Sequence, residues 1–384
     1  MKPGYKLTEA GVIPNDWLAA RLGDALTLER GFDLPARLRR EGAIPVVSSS
    51  GATSTHSEHA ATSPGIVTGR YGTIGKVFFI EEDYWPLNTT LFSRSFHGND
   101  PKFLTYLLRT VDFQTHSGKS GVPGVNRNDI HELIAAIPPV EQQRAIAKVL
   151  SDVDALLSAL DRLIAKKRDL KQAAMQQLLT GKTRLPGFDG EWELKTLSEI
   201  CEFRGGKAHE PYIDKFGDFI CVNSKFISTN GEVRKFATKN LCCARKGDVL
   251  MVMSDLPNGR ALAKAFLVDQ ENLYAVNQRV CALSASESCP TFLFYVLDRN
   301  PYFLKFDDGV SQTHLLNDVF KKCELALPPS VDEQVAIAAI LSSIDDEIIV
   351  IESRRQKTHH LKQGMMQDLL TGKTRLISPE NTDG

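Results

Sequence analysis

Two copies of one short motif contain residue types that nucleotide-handling enzymes use. Gly181-Lys182-Thr183 resembles the end of a phosphate-binding loop, and the same three residues recur at 372–374. That motif needs a further glycine upstream, where this sequence has Gln176 and Gln367. A helix that ends here would also turn the negative end of its dipole toward a phosphate. We therefore interpret both copies as a helix stop with a cationic cap, or as a partner contact.

Other catalytic signatures are incomplete. Glu193-Leu194-Lys195 resembles the second half of a nuclease motif, but Asp189 lies too close to supply its first carboxylate. Pro138-Pro139 and Pro328-Pro329 resemble part of an amino-methyltransferase tetrapeptide, yet neither pair follows Asn or Asp or precedes an aromatic residue. The sequence contains no dinucleotide fingerprint and no HExxH motif. We expect no catalytic residue and no metal site, and hence a binding module.

Composition is that of an ordinary globular protein. Of the 384 residues, 42% are hydrophobic and 24% are charged, and the net charge is −1. No apolar run reaches the roughly 18 residues of a membrane span, and the N-terminus has no apolar signal region. All seven cysteines fall between Cys201 and Cys323 without a CxxC pair, which favours reduced thiols. We expect a cytoplasmic protein without membrane contact, in which any basic face is balanced by acidic surface elsewhere.

The chain contains one internal repeat. Residues 143–185 align with 334–376 at an offset of 191, with 21 identities in 43 positions, and TGKTRL recurs unchanged. Upstream the similarity is weaker, but Trp17 matches Trp192 and Tyr106 matches Tyr295. Two copies are too few for a solenoid. They suit a molecule with approximate two-fold symmetry.

Each copy of the repeat predicts a long helix. No Gly or Pro interrupts residues 141–180, so a helix could be roughly 60 Å long at about 1.5 Å per residue. Gly181 and Gly372 lie where a C′ glycine would end each helix. Apolar residues alternate at steps of four and three, which favours two helices packed on each other over helices that each lie on their own domain. The predicted seam is Ile146, Leu150, Val153, Leu157, Leu160, Ile337, Leu341, Ile344, Ile348 and Ile351.

These features predict an α+β protein with a pseudo-two-fold internal repeat. Two similar, globular, β-rich domains are held apart by two long antiparallel helices in a coiled coil. The predicted boundaries are 1–138 for the first domain, 139–182 for the first spacer helix, 183–328 for the second domain, 329–373 for the second spacer helix and 374–384 for a tail.

Short β-rich runs and glycine-containing turns make up each variable domain. Residues 65–68 and 76–80 read as strands around the turn 69–75, and residues 248–253 and 265–268 read as strands around the turn 254–264. Lys76 and Lys264 follow the two turns at matching places. Polar loops at 117–128 and 307–317 come later in each domain.

The loops contain side chains suited to DNA. Arginine can read guanine through two hydrogen bonds, Asn or Gln can read adenine, and other cations suit phosphates. Each residue alone could equally be a solvated surface group. The predicted DNA-binding residues are Arg37, Arg39, Arg40, Arg70, Tyr71, Lys76, Lys119, Asn126, Arg127, Lys207, Lys225, Arg260, Lys264, Asn277, Gln278, Arg279 and Gln312.

Over nearly its whole length the sequence resembles the specificity subunit of type I restriction–modification systems. The resemblance is carried by IPPVEQQRAIAKVLSDVD and its copy LPPSVDEQVAIAAILSSID, by the two LKQ…LLTGKTRL tails, by the domain openings IPNDWLAARLGD and GEWELKTLSEI, and by GRYGTIGKV. The second domain departs from the pattern, because Arg260-Ala261-Leu262-Ala263-Lys264 replaces GxxGK.

The resemblance implies a non-catalytic subunit with two target-recognition domains, each of which reads one half of a split double-stranded DNA site. It also implies two methyltransferase subunits that bring S-adenosylmethionine, and restriction subunits, where present, that bring ATP and Mg²⁺; this chain would bind no cofactor. The alternative is a non-catalytic helical scaffold whose two domains bind peptide or carbohydrate.

Overall fold

The computed structural model describes residues 3–117, 124–256, 259 and 261–377. The chain divides into two compact units. Unit 1 consists of Met1–Asp161 and Ser353–Gly384, and unit 2 consists of Arg162–Glu352. Each unit therefore contains one variable domain and a part of each long helix, whereas the sequence predicted the helices as separate spacers.

The variable domain of unit 1 is built from short strands and three short helices. Its strands are β1 Tyr5–Thr8, β2 Gly11–Pro14, β3 Leu18–Arg21, β4 Thr27–Arg30, β5 Ile44–Ser48, β6 Gly51–His56, β7 Gly65–Gly69, β8 Val77–Ile80, β9 Trp85–Pro86, β10 Thr90–Ser95 and β11 Ile134–Ile137. Its helices are α1 Leu22–Ala25, α2 Pro101–Leu108 and α3 Arg127–His131. The predicted strands around the turn 69–75 are present as β7 and β8.

One four-stranded sheet forms the centre of this domain, with strand order β4-β10-β7-β8. A three-stranded sheet, β6-β5-β9, and the pairs β1-β2 and β11-β3 complete it. Helix α2 begins where the sequence favours a helix start, because Pro101 occupies the first turn and the Asp100 carboxylate accepts the Phe103 N–H at 2.8 Å. Its inner face buries Phe103 and Leu104 against the core.

Unit 2 has a similar but not identical order of elements. Its strands are β12 Glu193–Thr196, β13 Cys201–Gly205, β14 Phe219–Val222, β15 Phe236–Ala237, β16 Val249–Val252, β17 Ser254–Asp255, β18 Ala265–Leu267, β19 Tyr274–Val276, β20 Val280–Ala285, β21 Thr313–His314 and β22 Glu324–Leu327. Its short helices are α5 Leu197–Ile200, α6 Ser224–Ser228, α7 Pro290–Leu297, α8 Pro301–Leu304 and α9 Asn317–Lys321.

Three sheets of unit 2 correspond to sheets of unit 1, whereas the pairs β1-β2 and β17-β21 each occur in one unit. In unit 2 the four-stranded sheet has the order β13-β20-β16-β18, the three-stranded sheet is β15-β14-β19, and β12 pairs with β22. Each matches the sheet of unit 1 that holds the same place in the chain. Helix α7 also begins with a proline, Pro290, as α2 does. The predicted α+β fold with an internal repeat is confirmed.

Two long helices supply the rest of each unit. Helix α4 spans Val140–Leu178, and α10 spans Val331–Leu370. Gly181 and Gly372 follow them with φ of 68° and 70°, so each helix ends at a left-handed glycine as predicted. Thr183 N and Thr374 N bond back to the carbonyls of Gln177 and Asp368, which satisfies carbonyls of the last turn.

The helix segments pack antiparallel within each unit. In unit 1, Asp154 pairs with Lys362 and, one heptad later in α4, Asp161 pairs with Arg355. In unit 2, Lys167 pairs with Glu347 and the next turn's Lys171 pairs with Asp345. The partner number falls as the α4 number rises. The predicted antiparallel pairing is therefore present in both units.

Burial along the predicted seam is uneven. Ile146, Leu150, Leu160, Ile337, Leu341 and Ile348 are buried, whereas Val153, Leu157, Ile344 and Ile351 are half-buried. Leu150 belongs to the core of the first variable domain, together with Phe103 and with Leu369 of α10. Leu341 belongs to the core of the second, together with Phe292 and Leu178 of α4. The first turns of each helix therefore pack on their own domain and on the other helix at once.

Candidate nucleic-acid interface

A glycine-dependent turn links β7 to β8 in unit 1. Gly72 and Gly75 adopt φ of 76° and 90°, where an L side chain would be strained. At the start of the turn, the backbone N–H groups of Arg70 and Tyr71 both donate to the Thr89 carbonyl, at 2.8 and 3.1 Å. These hydrogen bonds fix the backbone positions from which the Arg70 and Tyr71 side chains extend.

Arg70 and Tyr71 form a stacked pair at this turn. The Arg70 guanidinium lies 4.5 Å from the centre of the Tyr71 ring, a cation–π distance. Tyr71 in turn bridges to Gly124, and a Cβ at Gly124 would lie 2.2 Å from Cε1 of the ring. Glycine is therefore required at 124 if Tyr71 is to keep this position.

An arginine-lined groove opens beside this pair. Its volume is about 430 Å³, and it is lined by Arg30, Arg70, Tyr71, Leu91, Gly124, Val125, Asn126 and Arg127. None of these lining residues is acidic. The Asn126 side chain accepts the Asn128 N–H at 3.1 Å and so caps α3, which positions Arg127 at the helix start. The sequence predicted Arg70, Tyr71, Asn126 and Arg127 for DNA, and the fold brings all four together.

The other predicted cations of unit 1 that the structure describes do not line this groove. Arg39 donates to Ser54 Oγ at 2.7 Å, and Arg40 pairs with Glu58 at 2.7 Å, so both have intramolecular partners. Arg37 and Lys76 are exposed. Lys119 lies outside the described residues.

Polar side chains of unit 2 meet at the end of β19. Asn277 is only 8% exposed, and its amide is used internally: Oδ1 accepts the Gln278 N–H at 2.8 Å, and Nδ2 donates to Glu210 at 3.2 Å. This bonding pattern disfavours the predicted base contact for Asn277, because a buried, bonded amide would have to lose its partners. Gln278, Arg279 and Lys207 are exposed.

Glu210 brings a carboxylate to this face, and sequence reasoning missed it. A hydrogen bond from its own backbone, the Asn277 amide and the charge of Arg279 together lower the pKa of Glu210. His209 beside it is fully buried, and its Nε2 accepts the Leu241 N–H at 3.0 Å. A lone glutamate in a loop has no sequence signal that would have marked it.

Three of the remaining predicted residues of unit 2 lie in the described part of the chain. Lys225 is exposed on α6. Lys264 Nζ donates to the Ser228 carbonyl at 3.2 Å, and Gln312 Nε2 donates to Ser254 Oγ at 2.9 Å, so both have intramolecular partners. Arg260 lies outside the described residues.

Unit 2 lacks the second glycine of GxxGK, but the residue in its place still adopts the backbone conformation of the turn. Ala263 precedes Lys264 as Gly75 precedes Lys76, and it adopts a positive φ of 56°. Its N–H bonds to Val252 O at 3.0 Å, and its carbonyl accepts the Arg299 N–H at 2.8 Å. These backbone bonds support the alanine in a conformation that glycine adopts more readily.

Strand pairing shows which residues of the two units hold equivalent positions. Arg30 pairs with Leu91 across β4 and β10, and Gly205 pairs with Cys281 across β13 and β20. The Arg70 N–H donates to Thr89 O, and the Met253 N–H donates to Arg279 O. Gly205 thus corresponds to Arg30, and Met253 corresponds to Arg70.

The first residues of α3 and α9 also hold equivalent positions. The Arg70 carbonyl accepts the Val125 N–H, and the Met253 carbonyl accepts the Leu315 N–H, so the chains enter the two helices alike. Arg127 begins α3 and Asn317 begins α9. All three groove arginines of unit 1 therefore correspond to uncharged residues in unit 2, while Arg279 stands where unit 1 has Thr89.

A second groove occurs once in each unit, at the end of a long helix. In unit 1 it has about 600 Å³ and in unit 2 about 520 Å³. Five lining residues are identical at the repeat offset: Gln363, Met366, Gln367, Leu370 and Thr371 in unit 1, and Gln172, Met175, Gln176, Leu179 and Thr180 in unit 2. The facing wall includes the end of α2 and the residues after it in one unit, and the end of α7 and the residues after it in the other. These walls differ in sequence, with Leu107 and Thr110 against Val296 and Arg299.

The arginine of each TGKTRL motif binds a carboxylate within its own unit. Arg184 makes two hydrogen bonds to the buried Glu333, both at 2.7 Å. Arg375 binds Asp16 and with Gln142 lowers the pKa of that carboxyl against the opposing effect of burial. These contacts agree with a helix stop. Arg184 ties the chain after α4 to the first turn of α10, and Arg375 ties the chain after α10 to the opening of the first variable domain.

Thiols and membrane segments offer no further site in the described part of the chain. Burial raises the pKa of the Cys201 and Cys323 thiols to about 12, so neither is a ready nucleophile. Among the residues described, no cluster of three His, Cys, Asp or Glu side chains is arranged to hold a metal. No helix in the same residues is both long and apolar enough to cross a bilayer.

The fold thus defines a duplicated α+β unit that carries two unlike polar faces on one repeated framework. The model of the type I restriction modification DNA specificity domain matches residues 14–167 and 189–359, which is most of the chain. The chain belongs to this family, and both of its repeats do.

Individual relatives agree over nearly full length. The type I restriction enzyme MjaVIII specificity subunit of Methanocaldococcus jannaschii is 24% identical, over 95% of this chain and 94% of the relative. The putative type I restriction enzyme MjaX specificity subunit of the same organism is also 24% identical, over 97% of both chains.

Solved structures support the fold. The crystal structure of a type I restriction-modification system S subunit from M. genitalium has a TM-score of 0.66 at 18% identity, covering 96% of this chain and 99% of that one. A chain from a study of complex assembly and conformational transition of the type I R-M system has a TM-score of 0.54 at 18% identity, covering 94% and 99%.

Proposed function

We propose that this chain is the DNA-specificity subunit of a type I restriction–modification complex and reads an asymmetric, two-part DNA site, one half with each variable domain. The proposal rests on one observation: the two units share a backbone framework but have different side chains at equivalent positions. Arg30, Arg70 and Arg127 of unit 1 correspond to Gly205, Met253 and Asn317 of unit 2. Two readers with different groups at equivalent positions select different half-sites, unlike the identical readers of a homodimer.

The polar side chains of each face suit base edges and phosphates. In unit 1 these are the arginines of the groove. In unit 2 they are Lys207, Gln278 and Arg279, next to Glu210, whose carboxylate could accept from a cytosine amine. The proposal leaves Asn277 as a support for this loop.

Catalysis in this proposal belongs to partner subunits. Two methyltransferase subunits bring S-adenosylmethionine, restriction subunits bring ATP and Mg²⁺ where they are present, and this chain brings no catalytic group or cofactor. The complex acts on DNA in the cytoplasm. Purified chain that transferred methyl groups to DNA without partners would contradict this division.

The duplicated grooves at the ends of α4 and α10 support the pairing with two methyltransferase subunits. Five identical residues in each groove present one chemical pattern twice, which suits two copies of the same partner. Met175→Glu or Met366→Glu should therefore leave one methyltransferase bound per chain, and the double variant should bind none. Analytical ultracentrifugation of the complexes measures this, with the exposed Lys166→Glu as control.

One experiment tests the function itself. Methylation sequencing of the host genome, with and without this gene, should reveal an asymmetric two-part motif that disappears with the gene. Binding of the assembled complex to a duplex with that motif should weaken steeply as salt rises. An unchanged methylation pattern, or binding indifferent to DNA, would contradict the proposal.

A further inference from the structure

The groove of unit 1 gathers three guanidinium groups from three different elements. Arg30 ends β4, Arg70 follows β7, and Arg127 begins α3. The β4–β10 register places Arg30 opposite Leu91, and the Arg70 carbonyl accepts the Val125 N–H at 2.9 Å, two residues before Arg127. Backbone pairing therefore brings the three residues together, although they are far apart in sequence.

The three cations differ in how firmly they are held. Arg70 is half-buried, and its guanidinium lies over the Tyr71 ring, which restricts the movement of this side chain before any ligand arrives. Arg30 is more than half exposed, and its nearest carboxylate, Asp33, lies 4.0 Å away. Arg127 is exposed, and within the described residues no ion pair of its side chain is found.

The restricted Arg70 and the exposed Arg30 and Arg127 suit different contacts with DNA. A guanidinium that already lies against a ring can donate two parallel hydrogen bonds to O6 and N7 of guanine with less loss of side-chain entropy than a free one. Exposed, mobile cations without a close partner suit phosphates, which tolerate many directions of approach. A groove without a lining carboxylate favours an anion on electrostatic grounds.

We propose that the three arginines of the groove make different contacts with DNA. Arg70 reads a guanine of the first half-site, while Arg30 and Arg127 bind backbone phosphates beside it. Arg30 is then a DNA-contact residue that was not among the residues predicted from the sequence. This inference rests on the proposed function and assigns the chemistry of one of its two faces. Among its described residues unit 2 has no equivalent arrangement, since Gly205, Met253 and Asn317 hold the three positions.

The test uses the complete complex with its methyltransferase subunits. Duplexes are selected from a randomised library by the wild-type complex, and affinities are then measured over a range of KCl concentrations for Arg30→Gln, Arg127→Gln and Arg70→Gln. Arg21→Gln is the matched control, because Arg21 is exposed, pairs with Glu132 at 3.2 Å and does not line the groove. Thermal unfolding verifies that each variant is folded.

Distinct readouts are expected from the two classes of arginine. Arg30→Gln and Arg127→Gln should each reduce the slope of log affinity against log salt by about 0.9, with the preference among duplexes unchanged. Arg70→Gln should leave the slope nearly unchanged and lose about 5- to 150-fold of discrimination at a single G·C pair. Arg21→Gln should change neither quantity.

Three results would overturn the inference. Slopes for Arg30→Gln and Arg127→Gln that match Arg21→Gln would remove the phosphate contacts. Equal weakening on all duplexes for Arg70→Gln would make Arg70 another phosphate contact. Selection by the wild-type complex of no duplex at all would instead overturn the proposed function, and this inference with it.

Discussion

The Tyr295 hydroxyl on α7 donates a 2.8 Å hydrogen bond to the Asp345 carboxylate on α10. Lys171 of α4 pairs with the same carboxylate and lies 5.2 Å from the centre of the Tyr295 ring. Unit 1 repeats the arrangement with Tyr106, Asp154 and Lys362, where the hydrogen bond is 2.7 Å. In each unit, these three side chains join the variable domain to both long helices.

Removal of one hydroxyl from this arrangement should loosen the joint. Tyr295→Phe should lower the free energy of unfolding by about 1–2 kcal/mol, because a hydrogen bond to a charged but partly exposed acceptor is lost. Tyr106→Phe should have a similar effect in unit 1. Chemical denaturation measures both.

A double-mutant cycle checks that the hydroxyl acts through its aspartate. Once Asp345→Asn has removed the charged acceptor, Tyr295→Phe should cost clearly less than it does alone. Additive effects would show that the two side chains do not stabilise each other.

Charges placed along the helix seam should destabilise in proportion to burial. Leu150 is fully buried in the core of unit 1, whereas Ile344 is half-buried. Leu150→Asp should cost about 3 kcal/mol or more, since a buried carboxylate has no compensating partner there. Ile344→Asp should cost less. The exposed Leu156→Asp is the control and should stay within about 0.5 kcal/mol of the wild type. Equal thermal stability of all three variants would exclude the packing described.

Acid should weaken unit 1 through His131. Burial and the nearby charge of Arg127 lower the pKa of His131 below its ordinary value of 6.5, and its Nε2 accepts the Leu28 N–H at 2.9 Å. The unfolded chain therefore takes up a proton more readily than the folded chain. The contribution to stability is complete above about pH 6.5 and is lost as pH falls through the lowered pKa.

Two measurements check this direction. The free energy of unfolding should fall between neutral and mildly acidic pH, and His131→Asn should flatten that fall. Arg127→Gln should raise the pKa of His131 in an NMR titration, because a nearby positive charge is removed. A His131 pKa above 6.5 in the wild type would contradict the prediction.

The two faces should act independently in recognition. Arg70→Ala should alter reading of one half-site and Arg279→Ala reading of the other, each costing about 1–3 kcal/mol where the contact is to a base. Exchange of residues 1–137 for the corresponding domain of a relative should change one half of the methylated motif only. Methylation sequencing measures the outcome. Effects of both substitutions on the same bases would contradict two separate readers.

Local sequence determined the framework of this protein. The helix spacing from 141 to 180, the glycines at 181 and 372 and the repeated TGKTRL gave the two long helices and their ends, because helix periodicity and left-handed glycine act within a few residues. The turn 69–75 and its flanking strands followed from glycine spacing in the same way. The internal repeat then gave the likeness of the two domains.

Tertiary structure decided which side chains share a face. Arg30 joins Arg70 and Arg127 only because β4 pairs with β10 in one register, and a long-range register cannot be read from the residues near Arg30. The hydrogen bonds from Arg70 N to Thr89 O and from Met253 N to Arg279 O likewise make Met253 the counterpart of Arg70 and Arg279 the counterpart of Thr89. Asn277 resembled a base reader in sequence, but burial beside Glu210 uses its amide inside the protein, and burial is a property of the packed chain alone.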